Sequence, residues 1–205
     1  NAYDERNRRI FKSFTDTDLN KEAQWFFYYD QYDRLIQAVH TPDIASPSTY
    51  SVYQWYWLET RPVLYYQRDY PAATTTRRYL YGDEQGRPHA AWSWPASGDP
   101  TRVWEVEAGL FGWDVPTTGA TVHQPLRFPG QHYDVETEAW ARFSGCGSFC
   151  EDVRRPGIGD NRYRSYDGFV GAYLQADPLV EATWNGYDYA GSNPVSATDP
   201  DGLIY

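Results

Sequence analysis

Two aspartates near the C-terminus, 22 residues apart (199 − 177) and each followed by proline, are the residues of this chain best suited to do chemistry. They stand in Asp177-Pro178 and in Asp199-Pro200-Asp201-Gly202-Leu203-Ile204-Tyr205. A following proline disfavours the helical region for the residue before it, so each aspartate is expected on an extended segment. Two carboxylates on extended segments that fold back on each other can share a water beside a peptide bond, the arrangement from which aspartyl peptidases are built. Two carboxylates about 3 Å apart cannot both ionise cheaply, so such a pair shares one proton. One member then deprotonates water while the protonated member hydrogen-bonds the peptide carbonyl. On spacing alone, Asp-Pro ahead of Gly is also ordinary turn chemistry, and a nearby arginine an ordinary ion pair.

Little else in the composition competes for that role. Cys146 and Cys150 lie in Cys-Gly-Ser-Phe-Cys and are a candidate local disulfide. His40, His89, His123 and His132 show no pairing at metal-ligand spacing, so neither metal nor cofactor is expected. A formal charge of −10 argues against a nucleic-acid partner, and Arg77-Arg78 and Arg154-Arg155 read as partners for nearby carboxylates. No apolar run approaches the roughly 20 residues of a membrane span, and no signal-peptide pattern opens the chain. Methionine is absent even at position 1, which reads as a piece or processed product of a longer protein.

The elements that must carry the aspartates are read from the aromatics, which make up 18% of the chain with 19 Tyr, 9 Trp and 9 Phe. Large amphipathic rings suit strands. Residues 25–30, 50–57, 62–66, 78–81 and 101–107 read as strands, the last with Trp104 and Val106 on one face and Val103 and Glu105 on the other. Residues 15–24 read as a short helix capped by Thr15 or Asp16. A repeat runs through the first half: Tyr3-Asp4 to Ile10 aligns with Tyr29-Asp30 to Ile36, and more loosely with Tyr81-Gly82-Asp83 to Arg87. In each, a strand end meets Asp, then a turn, then Arg. Asp can bond its own following backbone to start the turn, and the Arg can reach back to its carboxylate.

These repeats, with further ordered motifs, resemble the YD-repeat family, and in particular its rearrangement-hotspot (Rhs) repeat-associated core. The motifs are Tyr81-Gly-Asp-Glu-Gln-Gly-Arg-Pro88, Trp104-Glu-Val-Glu-Ala-Gly-Leu-Phe-Gly112, and the block from Gln124 to Thr137, Gln-Pro-Leu-Arg-Phe-Pro-Gly-Gln-His-Tyr-Asp-Val-Glu-Thr. Asn161-Arg-Tyr-Arg-Ser-Tyr-Asp167, Asp177-Pro178, Asn193-Pro194 and the Asp199-Pro-Asp-Gly-Leu203 ending complete the order. The resemblance divides the chain into diverged YD strands at 1–77 and a core at 78–205, with residues 140–160 an inserted loop.

The resemblance implies a mainly β fold of antiparallel hairpins forming part of a spiralling shell, closed by the core as a plug with little helix. In bacterial members the shell encloses a C-terminal toxin of variable sequence, so the implied partners are the chain's own shell, a toxin cargo and components of a secretion apparatus. The implied location is secreted or on the cell surface. By motif matching, Asp177 and Asp199 are the catalytic carboxylates, Arg164 a supporting arginine that orients one carboxylate or the carbonyl, and Leu203–Ile204 the cut bond. Pro178, Pro200 and Gly202 support it. After Asp177-Pro178 the family continues with one residue and then Gly-Leu, whereas here Leu179-Val180-Glu181 follows. The alternative is a non-catalytic adhesion or glycan-binding scaffold, with Trp55 and Trp57 near Glu59 as sugar-stacking candidates.

Overall fold

Rings alternating with smaller or polar residues dictate strands, and strands dominate the computed structural model. It describes residues 1–16, 20–112, 114–118, 122–137, 139–141, 153–155, 157–183 and 186–203. Cys146, Cys150, Ile204 and most of the 140–160 insertion lie outside the described residues. In chain order the strands are β1 (Ala2–Tyr3), β2 (Arg9–Asp16), β3 (Lys21–Tyr29), β4 (Leu35–Thr41), β5 (Tyr50–Leu58), β6 (Arg61–Tyr70), β7 (Thr74–Gly82), β8 (Pro88–Ser93) and β9 (Thr101–Ala108). After them come β10 (Asp114–Thr118), β11 (His132–Asp134), β12 (Ala139–Ala141), β13 (Val153–Arg155), β14 (Ile158–Asn161), β15 (Arg164–Asp167) and β16 (Ala172–Tyr173). One helical turn, α1, spans Val180–Thr183. The chain divides into two compact units, residues 1–82 with 90–103 and residues 83–89 with 104–205.

In the first unit β1 to β7 pair antiparallel with their sequence neighbours, as a meander. β3 shows why: Ala23, Trp25 and Phe27 are buried, while Phe26 and Tyr28 point to solvent. Registers place His40 opposite Trp25, Tyr53 opposite Ala38 and Tyr65 opposite Trp55. The result is a run of packed rings, with centroids 4.0 Å apart for the stacked Trp25–His40 pair, 5.6 Å for the tilted Trp25–Tyr53 pair and 5.9 Å for the stacked Trp55–Tyr65 pair. Each such pair adds about 0.5–1.5 kcal/mol beyond the area it buries.

Three expectations are corrected here. Residues 15, 16 and 20–24 are not helical: Thr15 pairs with Glu22 and Phe14 with Ala23 across the two strands, and Asn20 has a left-handed φ of 49°. The two-residue alternation through Trp25 outweighs the capping signal of Thr15 and Asp16. Trp55 is 3% exposed, and the Trp57 indole donates to the Leu35 carbonyl, so Trp55 offers no stacking face to a sugar. Arg78 donates to the Gln67 side chain and lies over the Tyr65 ring, and Arg77 lies over Tyr79, where carboxylate partners were expected.

The repeated Asp-to-Arg units form one recurring turn. Asp4 Oδ1 accepts the backbone N–H of Arg6 and Arg8, and its Oδ2 takes Arg8 Nη2 at 2.7 Å. Asp30 does the same with Tyr32 and Arg34, the ion pair closing at 2.6 Å. The residue three after each aspartate has positive φ, 57° at Asn7 and 63° at Asp33. Each guanidinium also donates onward, from Arg8 to the Asp30 carbonyl at 3.2 Å and from Arg34 to the Glu59 carbonyl at 2.6 Å. The second unit carries a third copy, with Asp83 bonded to Arg87, Gly86 at φ 85° and Arg87 donating to Gly109 at 2.8 Å.

In the second unit β11, β14, β15 and β16 form an antiparallel sheet in that order. β12 and β13 pair antiparallel, Ala139 with Arg155 and Ala141 with Val153. β14–β15 keeps an unbroken register from Ile158–Asp167 to Asn161–Arg164. Tyr166 and Tyr173 of this sheet join Phe128, Tyr189 and Ala190 in one buried cluster. Arg127 is locked beside them, its guanidinium 4.0 Å from the Tyr133 ring and donating to the Gln124 and Leu126 carbonyls.

Candidate functional site

The β14–β15 connection is a tight two-residue reversal at Arg162, with φ 56°, and Tyr163. Because Asn161 and Arg164 are directly opposite, both side chains point to the same face, and both are buried, at 0% and 3% exposure. Arg164 is thus a cation with almost no access to water, which is tolerable only where carboxylates meet it.

It meets both predicted aspartates. Arg164 Nη2 stands 3.3 Å from Asp177 Oδ2 and 3.1 Å from Asp199 Oδ2, and both carboxylates are buried. Arg164 Nε donates to the Gly202 carbonyl. The arginine therefore contacts both carboxylates and a carbonyl of the terminal segment, where the sequence assigned it only one of these. Arg164 Nη1 is buried and has no hydrogen-bond partner among the described residues.

Each aspartate is held from behind by local backbone. Asp177 Oδ1 accepts the Leu179 N–H at 2.7 Å, its carbonyl accepts the Val180 N–H at 3.0 Å, and its own N–H donates to Gly186 at 2.7 Å. Pro178 sits inside this turn, and Leu179-Val180-Glu181, the departure from the family pattern, runs from it into α1. Asp199 Oδ1 accepts the Leu203 N–H at 2.9 Å, folding residues 199–203 into a loop around their own carboxylate. Gly202 has φ 73°, and a Cβ there would lie 2.5 Å from the Asn161 carbonyl oxygen, so glycine is required. The Pro200 carbonyl rests on Gly130, where a Cβ would lie 1.9 Å from its oxygen. Arg162 pairs with Asp201 on the outer side of the loop.

Sequence reasoning missed three residues that complete the site. Asn161 Nδ2 donates to the Asp199 carbonyl at 2.8 Å and lies 2.6 Å from the Tyr173 hydroxyl. Tyr173 donates to Asp199 Oδ2 at 2.9 Å, and its ring lies 3.6 Å beneath the Arg164 guanidinium carbon. The Tyr189 hydroxyl accepts the Asp199 N–H at 3.4 Å. Burial first, and then the negative charge of Asp199, push the Tyr173 hydroxyl well above the usual phenol range, so it is a permanent donor. Burial likewise raises Tyr189. Asn161 and Tyr189 sit within motifs quoted above or beside them, but no spacing rule distinguishes a buried asparagine or tyrosine that aims at an aspartate from one that fills a core.

No family model matches the chain. It is 37% identical over 83 residues to the Escherichia coli (strain K12) protein YlbH, an alignment covering 40% of this chain and 27% of YlbH. Toxin protein Tse5 of Pseudomonas aeruginosa is 37% identical over 82 residues, covering 40% of this chain and 5% of Tse5. Double-stranded DNA deaminase toxin A of Burkholderia cenocepacia is 36% identical over 87 residues, covering 42% of this chain and 5% of that toxin. The chain thus spans about a quarter of YlbH and a small fraction of the two toxins. Among solved structures, the crystal structure of TcdB2-TccC3-TEV aligns with 98% of this chain and 10% of its own, at a TM-score of 0.52 and 15% identity. The antiparallel hairpin fold is that of the TcdB2-TccC3 structure, and the toxin relatives agree with the Rhs resemblance read from the motifs.

Proposed function

We propose that this chain is the closing segment of an Rhs shell that holds a toxin, and that it frees its cargo by one self-cleavage after Leu203. The observation that carries this reading is the meeting of Asp177 and Asp199 at one buried guanidinium, with the Leu203 N–H and the Gly202 carbonyl tied to the same groups. A peptide held permanently at its catalytic groups gains the effective-concentration advantage of an intramolecular reaction, so a modest site suffices.

In the proposed chemistry Asp177 takes a proton from water, and the water oxygen adds to the Leu203 carbonyl carbon. Arg164 Nη1, the N–H without a partner among the described residues, stabilises the oxyanion. Collapse of the tetrahedral intermediate breaks the bond to Ile204, and the proton on Asp177 passes to the departing amine. One water is consumed, leaving a carboxylate on Leu203 and an amine on Ile204. Asp199 keeps the terminal loop and Arg164 in place. The cargo follows residue 203, the YD strands belong to the enclosing wall, and the protein acts secreted or at a bacterial surface.

The test is full-length protein expressed as wild type, Asp177→Asn and Asp199→Asn. Wild type yields a separate C-terminal fragment whose first residue is Ile204, and both variants stay whole. Three uncut chains, or three equally cut ones, refute it.

A further inference from the structure

The trio of charges is flanked by a hydrogen-bond chain whose direction is fixed by chemistry. The Asp199 carbonyl oxygen can only accept, so the Asn161 atom 2.8 Å from it must be the amide nitrogen. That same nitrogen lies 2.6 Å from the Tyr173 oxygen and can only donate to it. The phenolic proton then has one place to go, Asp199 Oδ2 at 2.9 Å. The chain runs one way, from Asn161 through Tyr173 to Asp199, and every member is nearly or wholly buried. The Tyr173 ring centroid also lies 3.6 Å from the Arg164 guanidinium carbon, and the phenol and the guanidinium approach the same carboxylate oxygen.

We propose that Tyr173 is a positioning residue of the self-cleavage site: a fixed donor, set by Asn161, that holds Asp199 Oδ2 facing Arg164 so that Asp177 moves the proton. This rests on the self-cleavage reading. Asp177 contrasts with Asp199 in receiving one backbone N–H and the guanidinium, and no phenol, among its described bonds. Asp199 is surrounded by Arg164 on β15, Tyr173 on β16, Asn161 on β14 and Tyr189, with Asp177 across the guanidinium. Asp83 and Arg87 act on Tyr189 from the third turn. Arg164 Nη2 and the Tyr173 hydroxyl both donate to Asp199 Oδ2.

The experiment follows self-cleavage of the full-length chain after cell-free synthesis, with the cleaved fraction timed in buffers from acid to alkaline. Tyr173→Phe lowers the plateau rate by about tenfold and moves the acid limb of the pH–rate profile up by about one pH unit. Placing 3-fluorotyrosine at position 173, nearly the same shape but a stronger donor, moves that limb to lower pH. Resistance of the uncut precursor to added protease reports folding. If the Phe variant does not fold, the fluorotyrosine arm alone decides. A rate that falls evenly at all pH values, or an unmoved limb in the fluorotyrosine protein, overturns the assignment while leaving self-cleavage intact if Asp177→Asn still blocks it. A wild type that never cuts removes both.

Discussion

Replacing Gly130 with alanine tests whether the Gln124–Thr137 block is the seat of the terminal loop. Gly130 has φ 83°, and a Cβ there would lie 1.9 Å from the Pro200 carbonyl oxygen and 2.6 Å from its carbon, both backbone atoms that cannot rotate away. The left-handed conformation alone costs an alanine about 1–2 kcal/mol. Overpacking against backbone adds about 1–3 kcal/mol, for a total of roughly 2–5 kcal/mol. Gly98 supplies the control, since its φ is also positive, at 104°, but its Cβ would meet only Pro95 at 3.9 Å. Hydrogen exchange of the Leu203 amide, which depends on its bond to Asp199, reads the docking of the loop. Gly130→Ala should speed that exchange at least 30-fold at about 2 kcal/mol, while Gly98→Ala leaves it unchanged. Equal exchange in both variants would refute the contact, because conformational strain would then account for everything and the Pro200 carbonyl would not rest on residue 130.

Two further predictions concern the first unit. Burial first, and the charge of Lys12 second, lower the His40 pKa from 6.5 to about 4, so the folded chain holds this ring neutral against Trp25. Between those values the unfolded chain takes up a proton that the folded chain refuses, so stability is complete above pH 6.5 and falls as pH drops toward 4. The loss is about 3 kcal/mol across that window, and urea titrations of His40→Phe, which keeps the stack, should be flat over the same range. Burial alone would raise the Asp30 carboxyl, but hydrogen bonds from Arg34 and from the Arg34 and Tyr32 amides outweigh it and hold the group below 3.8. Its contribution is therefore present above that pH and lost below it. Asp30→Asn should cost about 1–2 kcal/mol at neutral pH, read as faster exchange of the Arg34 amide, with no further loss in acid.

The strands of the first unit were legible because ring alternation has a two-residue period that burial enforces, and the recurring Asp-to-Arg spacing gave the turns directly. The helix expected at 15–24 failed because a local cap preference of about 1 kcal/mol was set against a whole strand of paired rings. In the site, Asp177, Asp199 and Arg164 were readable as charged residues in punctuated motifs. Tyr173 and Asn161 were not, since their roles depend on which neighbour crosses over them after β14, β15 and β16 pair. The contact of Arg164 with both aspartates was likewise a matter of register. Asn161 and Arg164 become neighbours only because the β14–β15 reversal is two residues long.

The lacing of Asp-to-Arg turns in the first unit makes the two rims of that meander differently fastened. Turns at 4–8, 30–34 and 59–60 are stitched by arginines that must reach a carbonyl in the next turn, so a length change there breaks a stitch. The connections at 42–49 and 94–100 lie at the opposite ends of the strands. An inserted residue on the stitched rim therefore breaks an arginine-to-carbonyl bond, whereas the 42–49 connection is fastened instead to β3, by the Ile44 N–H on the Glu22 carbonyl and by Lys21 on Asp43.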